Sequence, residues 1–228
     1  MIHWLIQSLE QNSDLARGIA PPNLLHPVEQ RRLSLLRVTK RRSEWLLGRW
    51  TAKKLLQTCL AQEQQTHLPL AAIAIYNDAA GVPVALVQGC EWIISISHSR
   101  GAAFCATVPA QGMLSGLGAD IEYVDRRDWR FVEDYFTAEE IMRVRCAPER
   151  RRDTLIAAIW SAKEAALKAL HLGLTIDTRR VDCLIDPRHY EATSWLAFDM
   201  TCTRTFTERL HGWWRMWNDY VLTLAVAA

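Results

Sequence analysis

The spacing of apolar positions changes twice along the chain. After His26-Pro27 the period is helical, with Glu29 in the first turn. Between residues 43 and 62, Leu46, Leu47, Trp50, Leu55, Leu56, Cys59 and Leu60 recur about every third or fourth position, which predicts one or two long helices. Past Leu68-Pro69 the texture becomes extended. Residues 73–76 predict a short strand and 77–81 a turn, and Val82-Pro83-Val84 is extended because proline biases its predecessor away from the helical region. Residues 92–97 and 102–108 predict the two strands of a hairpin connected by His98-Ser99-Arg100-Gly101. A polar, glycine-containing connector over 109–116 follows, with a boundary placed near residue 112.

Beyond that connector the order repeats in outline: a strand over 117–124, helices, then strands to the end. Thr137 and Glu140 have capping-box spacing, so a helix begins there; a second is predicted from about Asp153 to about Leu170. Residues 181–185, 195–200 and 220–226 have strand texture. The prediction is an α+β chain of two similar halves, 1–112 and 113–228, with no residue-level repeat visible between them.

Composition narrows the class. Half of the residues are hydrophobic and 23% are charged, with only ten glycines and eight prolines, so the chain is neither disordered nor low-complexity. The first residues, Met1 to Gln7, lack a basic region before their apolar run and fail as a secretory signal. No stretch reaches the roughly 20 apolar residues of a spanning helix. Cys59, Cys90, Cys105, Cys146, Cys183 and Cys202 include no C-x-x-C pair, which argues against zinc and for buried thiols in a reducing cytosol. The ten tryptophans, Trp213, Trp214 and Trp217 among them, are read as packing. The net charge is only +2, so a polyanion site must come from local clustering. That clustering lies in residues 26–54, where nine basic side chains (Arg31, Arg32, Arg37, Lys40, Arg41, Arg42, Arg49, Lys53 and Lys54) face only Glu29 and Glu44. Arginine there can grip phosphate oxygens with paired hydrogen bonds.

Three further constellations carry chemistry. In a strand over Gly118-Ala119-Asp120-Ile121-Glu122, Asp120 and Glu122 project to one face, where two carboxylates repel unless a cation relieves them. Oxygen-only ligands favour Mg²⁺; the alternative is a solvated strand face. In Trp160-Ser161-Ala162-Lys163-Glu164, Ile156, Ile159, Trp160, Leu167 and Leu170 form the core stripe of a helix, with Glu164 and Lys168 on its flank. These two form either a half-buried acid–base pair serving a site or a surface ion pair. Lys163 falls inside the stripe, and its long stem can snorkel past the core. Ser95, Ser97, His98, Ser99 and Arg100 gather donors for an anion at a strand end, or simply build a turn.

Taken in order, Leu46-Leu47-Gly48-Arg49, Gly81-Val82-Pro83, Ser95-Ile96-Ser97-His98, Gly118 to Glu122, and Trp160 to Glu164 with Lys168 resemble the 4′-phosphopantetheinyl transferases of the surfactin-synthetase-activating type. The resemblance implies a pseudo-dimer of two similar α/β halves with the active site in the cleft between them: a coenzyme A grip in 1–112 and metal-binding acids in 113–228. It implies transfer of the phosphopantetheine arm of coenzyme A to a serine of an acyl or peptidyl carrier protein in fatty-acid, polyketide or nonribosomal-peptide synthesis, releasing adenosine 3′,5′-bisphosphate. Asp120, Glu122 and Glu164 would hold Mg²⁺, and Glu164 is also placed to accept the serine proton. Lys168 would contact the pyrophosphate, and Asp120, Glu164 and Lys168 together would form the catalytic group. Ser97 and His98, with Lys40 and Arg49, would bind coenzyme A phosphates; Arg31 and Arg32 are looser matches. Val82 stands where the family commonly has lysine in its G-K-P turn, so a phosphate contact is lost there or comes from another cation. The expectation is a cytoplasmic monomer that engages neither nucleic acid nor membrane. The alternative is a non-catalytic protein that holds nucleic acid through the 31–54 basic block, although Trp45 and Trp50, at helical spacing, are read as core rather than as stacking platforms.

Overall fold

The computed structural model describes residues 1–64, 68–110, 114–186, 188, 192–202 and 209–228. Residues 111–113 of the connector read as a domain boundary lie outside that set. The chain separates into two compact units, Met1–Gly112 and Met113–Ala228. It is α+β: each unit carries one antiparallel five-stranded sheet together with its helices.

Unit 1 runs β1 (His3–Ser8), α1 (Ser13–Ala16), α2 (Pro27–Leu35), α3 (Thr39–Gln64), β2 (Ala74–Asn77), β3 (Pro83–Val87), β4 (Cys90–Ser99) and β5 (Ala102–Pro109). Its sheet order is β1-β5-β4-β3-β2. Helix α2 starts where its sequence dictates. Pro27 occupies the first turn, which needs no N–H, and Glu29 closes a capping box by accepting the His26 N–H at 2.9 Å. Helix α3 buries Leu55, Leu56, Cys59 and Leu60 against Ile73, Val87, Trp92, Ile94 and Cys105. The hairpin is tighter than the sequence suggests. His98 and Ser99 still belong to β4, leaving Arg100 and Gly101 as the turn, both at positive φ (43° and 82°) as a two-residue turn matched to strand twist requires.

Unit 2 runs β6 (Gly116–Tyr123), α4 (Trp129–Tyr135), α5 (Ala138–Cys146), α6 (Glu149–Ala169), β7 (Val181–Leu184), β8 (Leu196–Cys202), β9 (Leu210–Trp217) and β10 (Tyr220–Ala227). Its order, β6-β10-β9-β8-β7, repeats that of unit 1 strand for strand. The Thr137–Glu140 capping box forms as the sequence predicts, whereas α6 begins at Glu149, ahead of the expected Asp153. The sequence pattern does not predict two of the strands: β1, whose apolar run reads only as a failed leader, and β9, which contains Trp213, Trp214 and Trp217.

The repeat reaches individual residues, correcting the expectation that none exists. Trp50-Thr51-Ala52-Lys53 on α3 corresponds to Trp160-Ser161-Ala162-Lys163 on α6. Both lysines are fully buried, so Lys163 does not snorkel. Each instead meets the capping-box glutamate of an earlier helix and two backbone carbonyls. Lys53 Nζ reaches Glu29 Oε2, Leu24 O and Leu70 O; Lys163 Nζ reaches Glu140 Oε2, Thr178 O and Val181 O. The cysteines are all free thiols, but only Cys59, Cys105 and Cys183 are buried; Cys90 and Cys146 are exposed.

The seat of β6 against α6 depends on glycine. A Cβ on Gly118 would overlap Ala165 O, and one on Gly116 would overlap Ala169 O, both fixed backbone atoms of the helix. Gly118→Ala should therefore cost about 3 kcal/mol of stability by urea denaturation. A loss under about 0.5 kcal/mol would mean that strand and helix are not held this close.

Candidate active site

In unit 2, the close seat of Gly118 sets Asp120 two residues further along β6, beside α6. Asp120 is buried, and Lys168 reaches across from α6 to meet its Oδ1 at 2.6 Å and Ala119 O at 3.2 Å. The same ammonium stands 3.9 Å from Glu164 Oε2, one helical turn earlier. Glu122, on the face of β6 that Asp120 shares, is held by Arg127 Nη2 at 2.7 Å, and the Arg127 guanidinium lies 4.6 Å from the centre of the Phe131 ring. The structure thus groups Asp120, Glu164 and Lys168, places Glu122 alongside, and adds Arg127, which nothing in the sequence singled out.

Burial, and then the Asp120 charge, lift both Glu122 and Glu164 from the usual carboxylate range to about 7; Arg127 and Lys168 oppose that lift in both cases. Carboxyls of this kind exchange protons near neutrality, as a general base at physiological pH must. The donor chemistry, three carboxylates and no sulfur or nitrogen, fits a hard divalent cation of the Mg²⁺ kind. The arrangement is not a preformed ligand set, however. Among the described residues, no group of three His, Cys, Asp or Glu side chains stands where it could hold a metal ion. Lys168 pairs with Asp120, and Arg127 with Glu122.

In unit 1 the basic block does several different jobs. Lys53 is internal, and Arg42 donates to Gly18 O, Leu33 O and Leu36 O, tying down the turn between α2 and α3. Arg32, Arg41 and Arg49 instead line a cavity of about 860 Å³, together with His98, Trp45, Tyr76, Asn77, Pro83, Glu29 and Glu44. Arg49 is buried, and its guanidinium lies 5.0 Å from the centre of the Trp45 ring; half-buried Trp45 packs against the core around Leu15, Leu24 and Leu46, as expected, and also forms part of the cavity wall. Alternation along β4 puts Ile96 and His98 on the cavity face and buries Ser95 and Ser97 on the other. Of the four coenzyme A contacts predicted in unit 1, the structure brings Arg49 and His98 to the cavity. Ser97 is not part of its wall, and Lys40 is 83% exposed and 4.0 Å from Glu44 Oε1. Asp78 closes the turn that carries Val82, accepting from Ala80 N and Val82 N at 2.9 and 2.8 Å.

Residues 116–225, all in unit 2, match the family model of the 4′-phosphopantetheinyl transferase superfamily. None of the curated proteins compared with the chain matches it. Among solved structures, the chain is similar to a holo-(acyl-carrier-protein) synthase from Bacillus anthracis in complex with coenzyme A (3′,5′-ADP). That match has 22% identity, covers 47% of this chain and 93% of that one, and has a TM-score of 0.39. It is also similar to the holo-[acyl-carrier-protein] synthase of Helicobacter pylori in complex with coenzyme A, with 19% identity, 49% and 99% covered, and a TM-score of 0.39. A third similarity is to holo-ACP-synthase from Plasmodium yoelii, with 17% identity, 47% and 91% covered, and a TM-score of 0.36.

The two raised carboxyls have a thermodynamic signature. Because Glu122 and Glu164 keep their protons to higher pH when folded than when unfolded, the folded chain binds more protons between pH 4.5 and about 7. The free energy of unfolding should therefore fall as pH rises through that window, and Glu164→Gln should flatten part of the slope. A Glu164→Gln curve parallel to the wild-type one would show that this carboxyl titrates normally.

Proposed function

We propose that the chain is a Mg²⁺-dependent 4′-phosphopantetheinyl transferase of the surfactin-synthetase-activating type, acting from coenzyme A onto a serine of an apo acyl or peptidyl carrier protein. The observation that carries this reading is the meeting of Lys168 with Asp120 and Glu164, beside Glu122, inside the segment that matches the superfamily model. The cavity of unit 1 supports it with Arg32, Arg41, Arg49 and His98, cations and an imidazole suited to phosphate groups beside an aromatic wall. Arg32 and Arg41 offer cations in the cavity that Pro83, next to Val82, also lines.

In this reading Asp120, Glu122 and Glu164 would hold the metal, whose charge would neutralise that of the pyrophosphate. Glu164, with a carboxyl near neutrality, accepts the proton of the carrier serine directly or through water. The serine oxygen bonds to the phosphorus that bears the pantetheine arm, the bond from that phosphorus to the bridging oxygen breaks, and adenosine 3′,5′-bisphosphate leaves. Lys168 exchanges its carboxylate partners for pyrophosphate oxygens and stabilises charge on the departing group. The surrounding burial makes each of these interactions stronger than it would be in water.

A nucleic-acid-binding reading draws less support, because Lys53, Arg42 and Arg49 are committed to the interior or to the cavity and do not add to an open basic face.

Incubation with coenzyme A, Mg²⁺ and a panel of apo carriers, read by intact mass, should add one phosphopantetheine to at least one carrier; no gain on any of them overturns the proposal. Asp120→Ala should abolish that gain while the chain stays folded by circular dichroism, and retained turnover at ordinary Mg²⁺ would remove Asp120 from the site. Lys168→Ala should raise KM for coenzyme A or lower kcat by at least about tenfold. Unchanged constants would reduce Lys168 to a structural ion pair.

A further inference from the structure

The duplicated lysine–glutamate pair isolates one difference between the two units. In unit 2 every oxygen of the glutamate is used by the fold. Glu140 Oε2 takes the Thr137 N–H at 2.8 Å and Lys163 Nζ at 2.9 Å, and Oε1 takes the Cys183 N–H at 2.8 Å. In unit 1 Glu29 Oε2 has the matching partners, the His26 N–H and Lys53 Nζ. Its Oε1 is spent differently: it faces Arg49 Nε at 3.4 Å, in an ion-pair contact that lacks hydrogen-bond geometry. The position on α6 that corresponds to Arg49 is Ile159, a fully buried apolar residue. Unit 2 therefore shows that the lysine–glutamate pair needs no arginine to be complete.

The geometry points to Glu29 and Lys53 as a positioning pair for Arg49, setting its guanidinium in the cavity wall to receive a phosphate group of coenzyme A. This rests on the reading of that cavity as the coenzyme A grip. Glu29 draws Arg49 by Nε on one side, and the Trp45 ring lies along its face, so the guanidinium is fixed before any ligand arrives. Lys53 matters for charge. Without it, the single carboxylate of Glu29 would neutralise Arg49; with it, two buried cations share one carboxylate, and one positive charge remains for an anion. Burial disfavours the Arg49 charge and Glu29 opposes that effect, so the arginine keeps its charge in a place that an isolated cation would avoid. Glu29 also borders the cavity, but a carboxylate repels a phosphate, so its help to the ligand runs through Arg49 and it is a positioning residue.

The test measures binding of adenosine 3′,5′-bisphosphate and coenzyme A by calorimetry, together with thermal melting, for wild type, Glu29→Gln, Arg49→Ala, the double variant and Glu140→Gln. Glu29→Gln should weaken binding by about tenfold and raise KM for coenzyme A by the same factor with kcat within about twofold. Adding Glu29→Gln to Arg49→Ala should cost no further affinity, since a residue acting through another has nothing left to position. Glu140→Gln should lower the melting temperature. Should Glu29→Gln fail to fold, Glu29→Asp keeps the charge for Lys53 while withdrawing it from Arg49, and should show the same loss of affinity. Wild-type affinity in the Glu29 variant, or equal losses from Glu29→Gln in the presence and absence of Arg49, overturns the positioning role alone. Failure of the wild-type chain to bind either compound overturns the coenzyme A reading and this inference with it.

Discussion

A lysine with no exposed surface is costly to a folded chain unless its three donors are all met, and this protein contains two, Lys53 and Lys163, each satisfied by one carboxylate and two carbonyls. The carboxylate in each case is the third residue of a capping box, already held by the N–H that starts its own helix. One buried ion pair thus fixes three things at once: the start of a short helix, the roll of the long helix that carries the lysine, and the chain that leads toward the next strand. Removing either partner would strand the other in the interior, at a cost of about 3–5 kcal/mol. The orientation of α3 and α6 over their sheets, and with it the placement of every side chain on their flanks, depends on this contact.

The acids of unit 2 follow from that orientation. With Lys163 pointing inward, Glu164 and Lys168 turn to the edge of α6 nearest β6, where Gly118 lets the strand come close enough for Lys168 to reach Asp120. Close approach of three carboxyls would leave them in mutual repulsion. The chain meets this in two ways: by raising Glu122 and Glu164 toward neutrality and by pairing the group with Lys168 and Arg127.

Much of this was legible in the sequence because it is written locally. The Thr137 capping box, the glycine-flanked acids of β6 and the flank position of Glu164 and Lys168 all follow from spacing within a few residues. What stayed hidden depends on distant partners. Arg127 carries no pattern of its own and gains meaning only from Glu122 and Phe131. Ser97 and His98 are neighbours in sequence but face opposite sides of a strand, so one reaches the cavity and the other does not. Lys40 and Arg49 look alike within one basic block, although helical phase exposes the first and buries the second. The repeat of Trp-Thr-Ala-Lys as Trp-Ser-Ala-Lys is short enough to pass for chance until both lysines are found in the same buried clamp.

Duplication of that clamp leaves the two units free to differ everywhere else on the long helix. The residue after the lysine is Lys54 in one and Glu164 in the other, and the residue four before it is Arg49 in one and Ile159 in the other. Each change shifts charge without disturbing the buried pair, so unit 1 gathers cations around its cavity while unit 2 gathers carboxylates along β6 and α6. A scaffold whose stability is settled by an interior contact can vary its flanks at little cost, because exposed or half-exposed substitutions change stability by only about 0.5 kcal/mol when no buried group is left unmatched. Arg49 is the exception that tests this logic: it is a buried charge added to the clamp itself, and a buried charge persists only where something in the molecule, or something the molecule binds, has a use for it.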